Sequence, residues 1–404
     1  MTRTTIRAAF VAALLATSAM TMAGDPAFAQ RAPSINATVG KNLQDAKKAM
    51  DAKDFATAVT AIQKAQAVSS KKDYDDFVIN QYMLQAQIGL NNIPAAAEAA
   101  EAAATYKDMT AEQKPGIIRN AMVLALNAKH YDKALEFGKQ LETLTPPPDA
   151  HTQSIIMQAY YFGGDYAGTA AKAKAMIDAD IAAGKRPAKD ALDFLIQARI
   201  KQKDEPGAEE ALMMRINALG DPEDWTQMID VVLGTKGLRD IDAVYLGRLM
   251  FATGAKVSPQ DANIFGQTAS KLTFFGDAVQ ATQHGGTGFP DASARAAEDK
   301  KTLPKQIADA PKQNGQYNVK LAQALYSYGM FQEAETAALA AKAKGGTTDP
   351  TETPMVLGMT QVALGKYDEA VATFATVSGG SPATPRIAKM WSDYAKLKKN
   401  PPTP

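Results

Sequence analysis

Few side chains in this sequence stand where their types and spacing could do chemistry. There are three histidines, His130, His151 and His284. None has a second histidine or a carboxylate at metal-ligand spacing in the same helix. With no cysteine at all, disulfides, iron–sulfur clusters and thiol catalysis are excluded. The glycine-rich run "GGTGF" lacks the lysine of a phosphate-cradling loop, and no G-x-S-x-G elbow occurs. The acidic pairs Asp75-Asp76 and Glu209-Glu210 could do acid–base work only if buried opposite each other. On polar helix faces they read as solvated charges. The 17 methionines and scattered tyrosines fall at helical core spacing and read as packing. An enzyme would need a carboxylate pair or a histidine–acid pair in a shared pocket, and the sequence displays neither. The expectation is a non-catalytic protein without metal or cofactor.

Composition and the chain ends narrow the class further. "MTRTTIR" carries Arg3 and Arg7 and no acid, residues 8–20 are apolar and uncharged, and Ala27 and Ala29 offer small residues for cleavage. This is the pattern of a secretory signal peptide over residues 1–29. It predicts export, to the periplasm of a Gram-negative bacterium or, as the alternative, to the medium. Lys and Arg total 44 against 43 Asp and Glu, and removing Arg3, Arg7 and Asp25 leaves 42 of each. A neutral mature chain argues against electrostatic nucleic-acid or membrane binding. Its length lets it bury a core without disulfides.

The elements are helices, and they recur. In "GKYDEAVATF", Tyr367, Ala370, Val371 and Phe374 stand at i, i+3, i+4 and i+7, one face of a helix. Upstream, "MVLGMTQVAL" is a second helical run, and Gly365 stands where it should stop in the left-handed conformation. Leu357 and Gly358 on the first helix are expected to face Ala370 on the second. The same order appears at Gly329, Phe331 and Ala334, and at Gly164, Tyr166 and Ala170. Tyr131 with Ala134, Ile93 with Ala96, Phe55 with Ala58, and Phe275 with Ala278 extend it. Phe55 to Ile93 and Ile93 to Tyr131 are both 38 residues, and Tyr131 to Tyr166 is 35. Steps of 35 separate Glu205, Asp240 and Phe275, and Phe331 to Tyr367 is 36. A fixed period in this range marks a solenoid.

These residues resemble the tetratricopeptide repeat family, whose motif combines Leu-Gly on helix A, Gly-x-aromatic at the turn and Ala three residues later. The last unit matches through Leu357, Gly358, Gly365, Tyr367, Ala370 and Phe374. Glu205 and Asp240 depart from it by replacing the turn aromatic. The resemblance implies an all-α, right-handed superhelical solenoid of about nine helix-turn-helix repeats with a C-terminal capping helix. Repeats are expected over 30–284, in units near 39–76, 77–114, 115–149, 150–188, 189–223, 224–258 and 259–284. From Phe275 to Phe331 is 56 residues, so 285–316 reads as an insertion, carrying a short polar helix near 291–300, or as a hinge. Two further repeats span 317–380, and residues 381–404 form the cap and tail.

The resemblance also implies where function lies. Helix A of each unit lines a concave groove for peptides or partner helices, so a protein or peptide partner is expected. With the turn aromatic as position 17, positions 5, 9 and 12 supply Gln81, Gln85, Arg119, Ser154, Gln158, Tyr161, Asp193, Gln197, Gln323 and Tyr326. Amides and hydroxyls dominate, which suits an extended peptide backbone. The alternative is an envelope protein that binds a glycan or lipid, for which Tyr160, Tyr161, Phe162, Tyr326 and Tyr328 are the aromatic clusters. A monomer or weak oligomer is expected.

Overall fold

The computed structural model describes residues 33–287, 289 and 291–401. The leader-like residues 1–29 lie outside the described residues. The described chain consists of twenty α-helices packed in sequence order, a helical-repeat solenoid. Nine helix pairs can be named, the first of each being helix A and the second helix B. They are α1 (Ala37–Asp51) with α2 (Phe55–Gln66), α3 (Asp73–Gly89) with α4 (Ile93–Ala104), and α5 (Gln113–Ala128) with α6 (Tyr131–Glu142). Next come α7 (Ala150–Phe162) with α8 (Tyr166–Ala182), α9 (Lys189–Lys201) with α10 (Glu205–Leu219), and α11 (Pro222–Leu233) with α12 (Asp240–Thr253). Then α13 (Pro259–Lys271) pairs with α14 (Phe275–Gln283), α16 (Gly315–Ser327) with α17 (Phe331–Lys344), and α18 (Glu352–Ala363) with α19 (Tyr367–Phe374). The two unpaired helices are α15 (Ala292–Asp309) and α20 (Thr384–Lys399).

Each B helix begins on the residue that the period marks, including Glu205 and Asp240. The cause is one repeated turn. The residue two before the B helix takes a positive φ at Lys53, Asn91, Lys129, Gly164, Lys203, Thr273, Gly329 and Gly365. The next N–H reaches back five residues, as Asp54 to Ala49 O and Lys366 to Gln361 O, each at 2.8 Å. This bond satisfies a carbonyl that the end of helix A leaves open. Glycine adopts this conformation freely, whereas Thr273 does so at a cost of about 1–2 kcal/mol. The turn therefore forms whether or not glycine is present. The turn before α12 is longer, and its positive φ falls on Gly237.

Three residues into the B helix, Ala58, Ala96, Ala134, Ala278, Ala334 and Ala370 are fully buried. Gly358 lies against the B helix at Phe374. A β-carbon there would come within 2.6 Å of the Phe374 ring, so the glycine makes room for that ring.

The helices form two compact units. One runs to Ala179 and includes Gln197–Asp204; the other comprises Asp180–Ile196 and everything from Glu205. They are called units 1 and 2 below. The core of unit 1 forms in two clusters. One gathers Val39, Leu43, Ile62, Ile79 and Met83, and the other Ile118, Met122, Phe137, Leu141 and Ile156.

The described residues of 285–316 lie within unit 2, and the division between units falls in the 180–204 region. Helix α15 is longer than the expected 291–300 and runs through Pro304, because Ala292, Ala296 and Leu303 give it a buried edge. Helices α14 and α16 pack on each other directly despite the insertion. Gly276 permits this approach: a β-carbon there would lie 2.2 Å from the Ser327 carbonyl oxygen.

Unit 2 closes around α12. Ten consecutive residues, Ile241–Met250, are buried, although α12 is a B helix by sequence order. Helix α20 returns to α12, and the Trp391 indole N–H donates to Tyr245 O at 3.1 Å. The Asp242 carboxylate accepts hydrogen bonds from Arg239 Nε at 2.9 Å, Ser381 Oγ at 2.7 Å and Thr384 Oγ1 at 2.8 Å. Arg239 also pairs with Asp349, just before α18, at 2.6 Å. A single carboxylate thus ties the start of α12 to the start of α20.

Candidate functional site

The A-helix faces of the two units differ. In unit 1, α1 touches α3 and α5 touches α7, which sets positions 5, 9 and 12 side by side. Gln85 and Arg119 are exposed, and Gln81, Ser154, Gln158 and Tyr161 are half-buried. At position 12, Met50, Ile88, Leu126 and Tyr161 are all half-buried, so each A helix presents an apolar or aromatic side chain there. Lys47, at position 9 of α1, is paired with Asp51 at 2.7 Å. This face therefore offers amides, one arginine and an apolar strip.

On α16 and α18 of unit 2 most of the same positions are enclosed. Val319, Gln323, Met355 and Met359 have no exposed surface, and Val362 keeps 8%. Helix α12 engages Gln323 among them. Arg248 donates through Nη1 to Gln323 Oε1 at 2.5 Å and through Nη2 to Asp277 Oδ2 at 2.7 Å. The Gln323 amide then donates to the Tyr245 hydroxyl at 2.9 Å. The guanidinium lies over the Tyr326 ring, 4.5 Å from its centre. Gln323 and Tyr326 were expected to line an open groove. Gln323 is instead fully buried in a polar network with Arg248 and Tyr245 of α12, and Tyr326 is half-buried under the Arg248 guanidinium.

Asp193 and Gln197 lie on α9, which is divided between the units. Asp193 is engaged by Lys189 and Arg215, each at 2.6 Å. Gln197 is exposed.

The aromatic candidates separate in the same way. Tyr160 is buried, and its hydroxyl donates to Glu142 at 2.6 Å. Tyr328 donates to Asp299 at 2.8 Å. In unit 1, Tyr131 stacks on Phe162 at 5.3 Å, and Tyr161 meets Phe162 at 5.4 Å and Tyr166 at 5.7 Å. Phe162 is 46% exposed.

One pair escaped the sequence reading. His130 Nδ1 lies 2.7 Å from Glu101 Oε1. Glu101 also lines a cavity of about 300 Å3 between α4 and α6, with Glu98, Lys133, Glu136, Phe137 and Thr105. The two residues are 29 apart and on neighbouring repeats, so no local spacing connects them. A histidine–carboxylate pair can act as a base only on a nucleophile within reach. The cavity's hydroxyl, Thr105 Oγ1, is turned to its own helix, donating to Ala102 O at 2.7 Å. The arrangement holds the turn before α6 against α4.

No protein-family model matches the chain, and no curated protein matches it. Among solved structures, a chain in "Structure of Naa15/Naa10 bound to HypK-THB" is similar at 11% identity. The match covers 85% of this chain and 69% of that one, with a TM-score of 0.24. A likeness at that level carries no argument, so the helical-repeat class stands on the helices and turns described above.

Proposed function

We propose that this protein is an exported, non-catalytic helical-repeat scaffold that binds a protein or peptide on the A-helix face of unit 1. The observation that carries the reading is the contrast between the two faces. In unit 2 the chain's own α12 engages Gln323 and Tyr326, while Gln85 and Arg119 in unit 1 are exposed. The charge-free leader segment after Arg3 and Arg7 supports export. Repeat folds host many roles, so the partner must be sought at the face and not in the fold.

Replacing Gln85 and Gln158 together with glutamate is expected to weaken retention of the partner from a periplasmic extract by tenfold or more. The circular dichroism spectrum should be unchanged, since neither residue is buried. Undiminished retention would remove the face assignment. A glycan is the second reading, favoured by the ring run Tyr131, Phe162, Tyr161 and Tyr166. On that reading Phe162→Ala, and not the glutamine changes, removes binding.

A further inference from the structure

Helix α15 stands outside the repeat. Helices α14 and α16 pack on each other directly, and α15 packs on both. Three of its eighteen residues are buried, Ala292, Ala296 and Leu303, against seven of thirteen in α16. Little apolar area therefore holds α15 down, and a helix held so weakly opens more readily than its neighbours. Pro304 lies inside α15. It has no N–H to offer the Lys300 carbonyl one turn earlier, which weakens the helix there.

The body and the ends of α15 are held differently. The body lies over two rings on neighbouring repeats, Phe275 at the start of α14 and Tyr328 just after α16. The Arg295 guanidinium is 5.8 Å from the Phe275 ring centre, and the Lys300 ammonium is 5.1 Å from that of Tyr328. Asp299 accepts the Tyr328 hydroxyl at 2.8 Å. Arg295 and Lys300 are exposed, and charged contacts of this kind are weak and screened by salt. The ends are anchored more firmly. Before α15, the Phe289 ring is buried where a β-carbon on Gly266 would lie 2.0 Å from it. After α15, Lys344 Nζ donates to the carbonyls of Ala310 at 3.0 Å, Pro311 at 2.9 Å and Gln313 at 2.5 Å. The buried Asn318 amide adds a bond to Ala310 O at 3.1 Å.

We propose that α15 is a strap, whose body unwinds and lifts from Phe275 and Tyr328 while both anchors and the α14–α16 packing stay in place. Unwound, its residues reach about twice the ~27 Å that they span as a helix, so the body leaves the surface without releasing either end. Closed, the strap is an autoinhibitory contact: its own Arg295, Asp299 and Lys300 occupy the two rings and the Tyr328 hydroxyl. Open, it bares them, and the balance between the two states is a local equilibrium within unit 2. The inference does not depend on the reading of the unit 1 face.

The test is hydrogen exchange of the full-length protein, read peptide by peptide by mass spectrometry at low and at raised salt. Amides of α15 are expected to exchange about a hundredfold faster than those of α14 and α16, and faster again at raised salt. Tyr328→Phe removes the hydroxyl that Asp299 accepts and keeps the ring. It should speed exchange in α15 by about fivefold more and leave α14 and α16 unchanged. A second readout uses the absence of cysteine from the chain. A thiol placed by Ala296→Cys, on the buried edge of α15, should react with a soluble disulfide reagent about fivefold faster when Tyr328→Phe is added. A thiol placed by Ala322→Cys, buried on α16, should not respond to that change. The proposal is overturned if α15 exchanges no faster than α16. It is overturned equally if Tyr328→Phe accelerates all three helices together, because α15 then opens only with the whole of unit 2.

Discussion

Replacing Arg248 with methionine is expected to lower the stability of the protein by about 3–5 kcal/mol, the usual loss when one partner of a buried ion pair is removed. Arg248 and Asp277 are 3% and 2% exposed. Without the guanidinium, Asp277 remains buried with no counter-charge, and Gln323 Oε1 loses the donor that α12 brings to it. The sign of the pH dependence follows. Burial pushes the Asp277 carboxyl up, and Arg248 offsets part of that push. A carboxyl raised in the folded state favours its protonated form there, so its ionisation destabilises as pH rises. The Arg248→Met variant should lose more stability at pH 8 than at pH 5. Changing Asp277→Leu in the same variant should restore much of the loss, because no unpaired charge is left. Urea unfolding of the single and double variants checks this, and equal stability of Arg248→Met and the unaltered protein would show that α12 is not held on this face as described.

The second large effect is expected at Asp242. Asp242→Ala should cost about 3 kcal/mol, since the buried donors from Ser381 and Thr384 and the guanidinium of Arg239 lose their shared acceptor. Burial alone would raise this carboxyl. The hydrogen bonds of Arg239, Ser381 and Thr384, with the charge of Arg239, outweigh it and hold the group below the usual carboxylate range. A lowered carboxyl contributes stability that is present above its unfolded value of about 3.9 and is lost as pH falls through the folded value. The tie between α12 and α20 should therefore be intact at neutral pH and weaken in strong acid. Asp242→Asn should remove that part of the acid sensitivity. Amide exchange at Trp391 and its neighbours reads the result locally. Exchange in α20 that is no faster in Asp242→Ala would contradict the closure.

The repeat architecture was legible because its determinants are local. A positive-φ residue, a turn aromatic and an alanine lie within six residues of one another, so the order "GKYDEA" reports its own structure. Even Glu205 and Asp240 mark true helix starts, since the period survives where the aromatic does not. Whether each face is open was not legible. The burial of Gln323 depends on Arg248 and Tyr245, which lie 75 and 78 residues away, and no local spacing connects them. One signal was available. Residues 241–250, "IDAVYLGRLM", carry apolar side chains on every side of the helix, and a helix of that kind is buried all round. The His130–Glu101 contact was missed for the same reason as Arg248–Asp277: the partners stand on different helix pairs.

The central claim is that the A-helix face of unit 1 binds a partner. Its most direct test is site-specific photo-crosslinking in intact cells. A benzophenone amino acid is placed at Gln85 or Gln158 on that face, and at Lys64 or Thr336, which are exposed on B helices α2 and α17. The account predicts the same crosslinked partner from positions 85 and 158 and none from 64 and 336. A partner captured from 64 or 336 but not from 85 and 158 would contradict it.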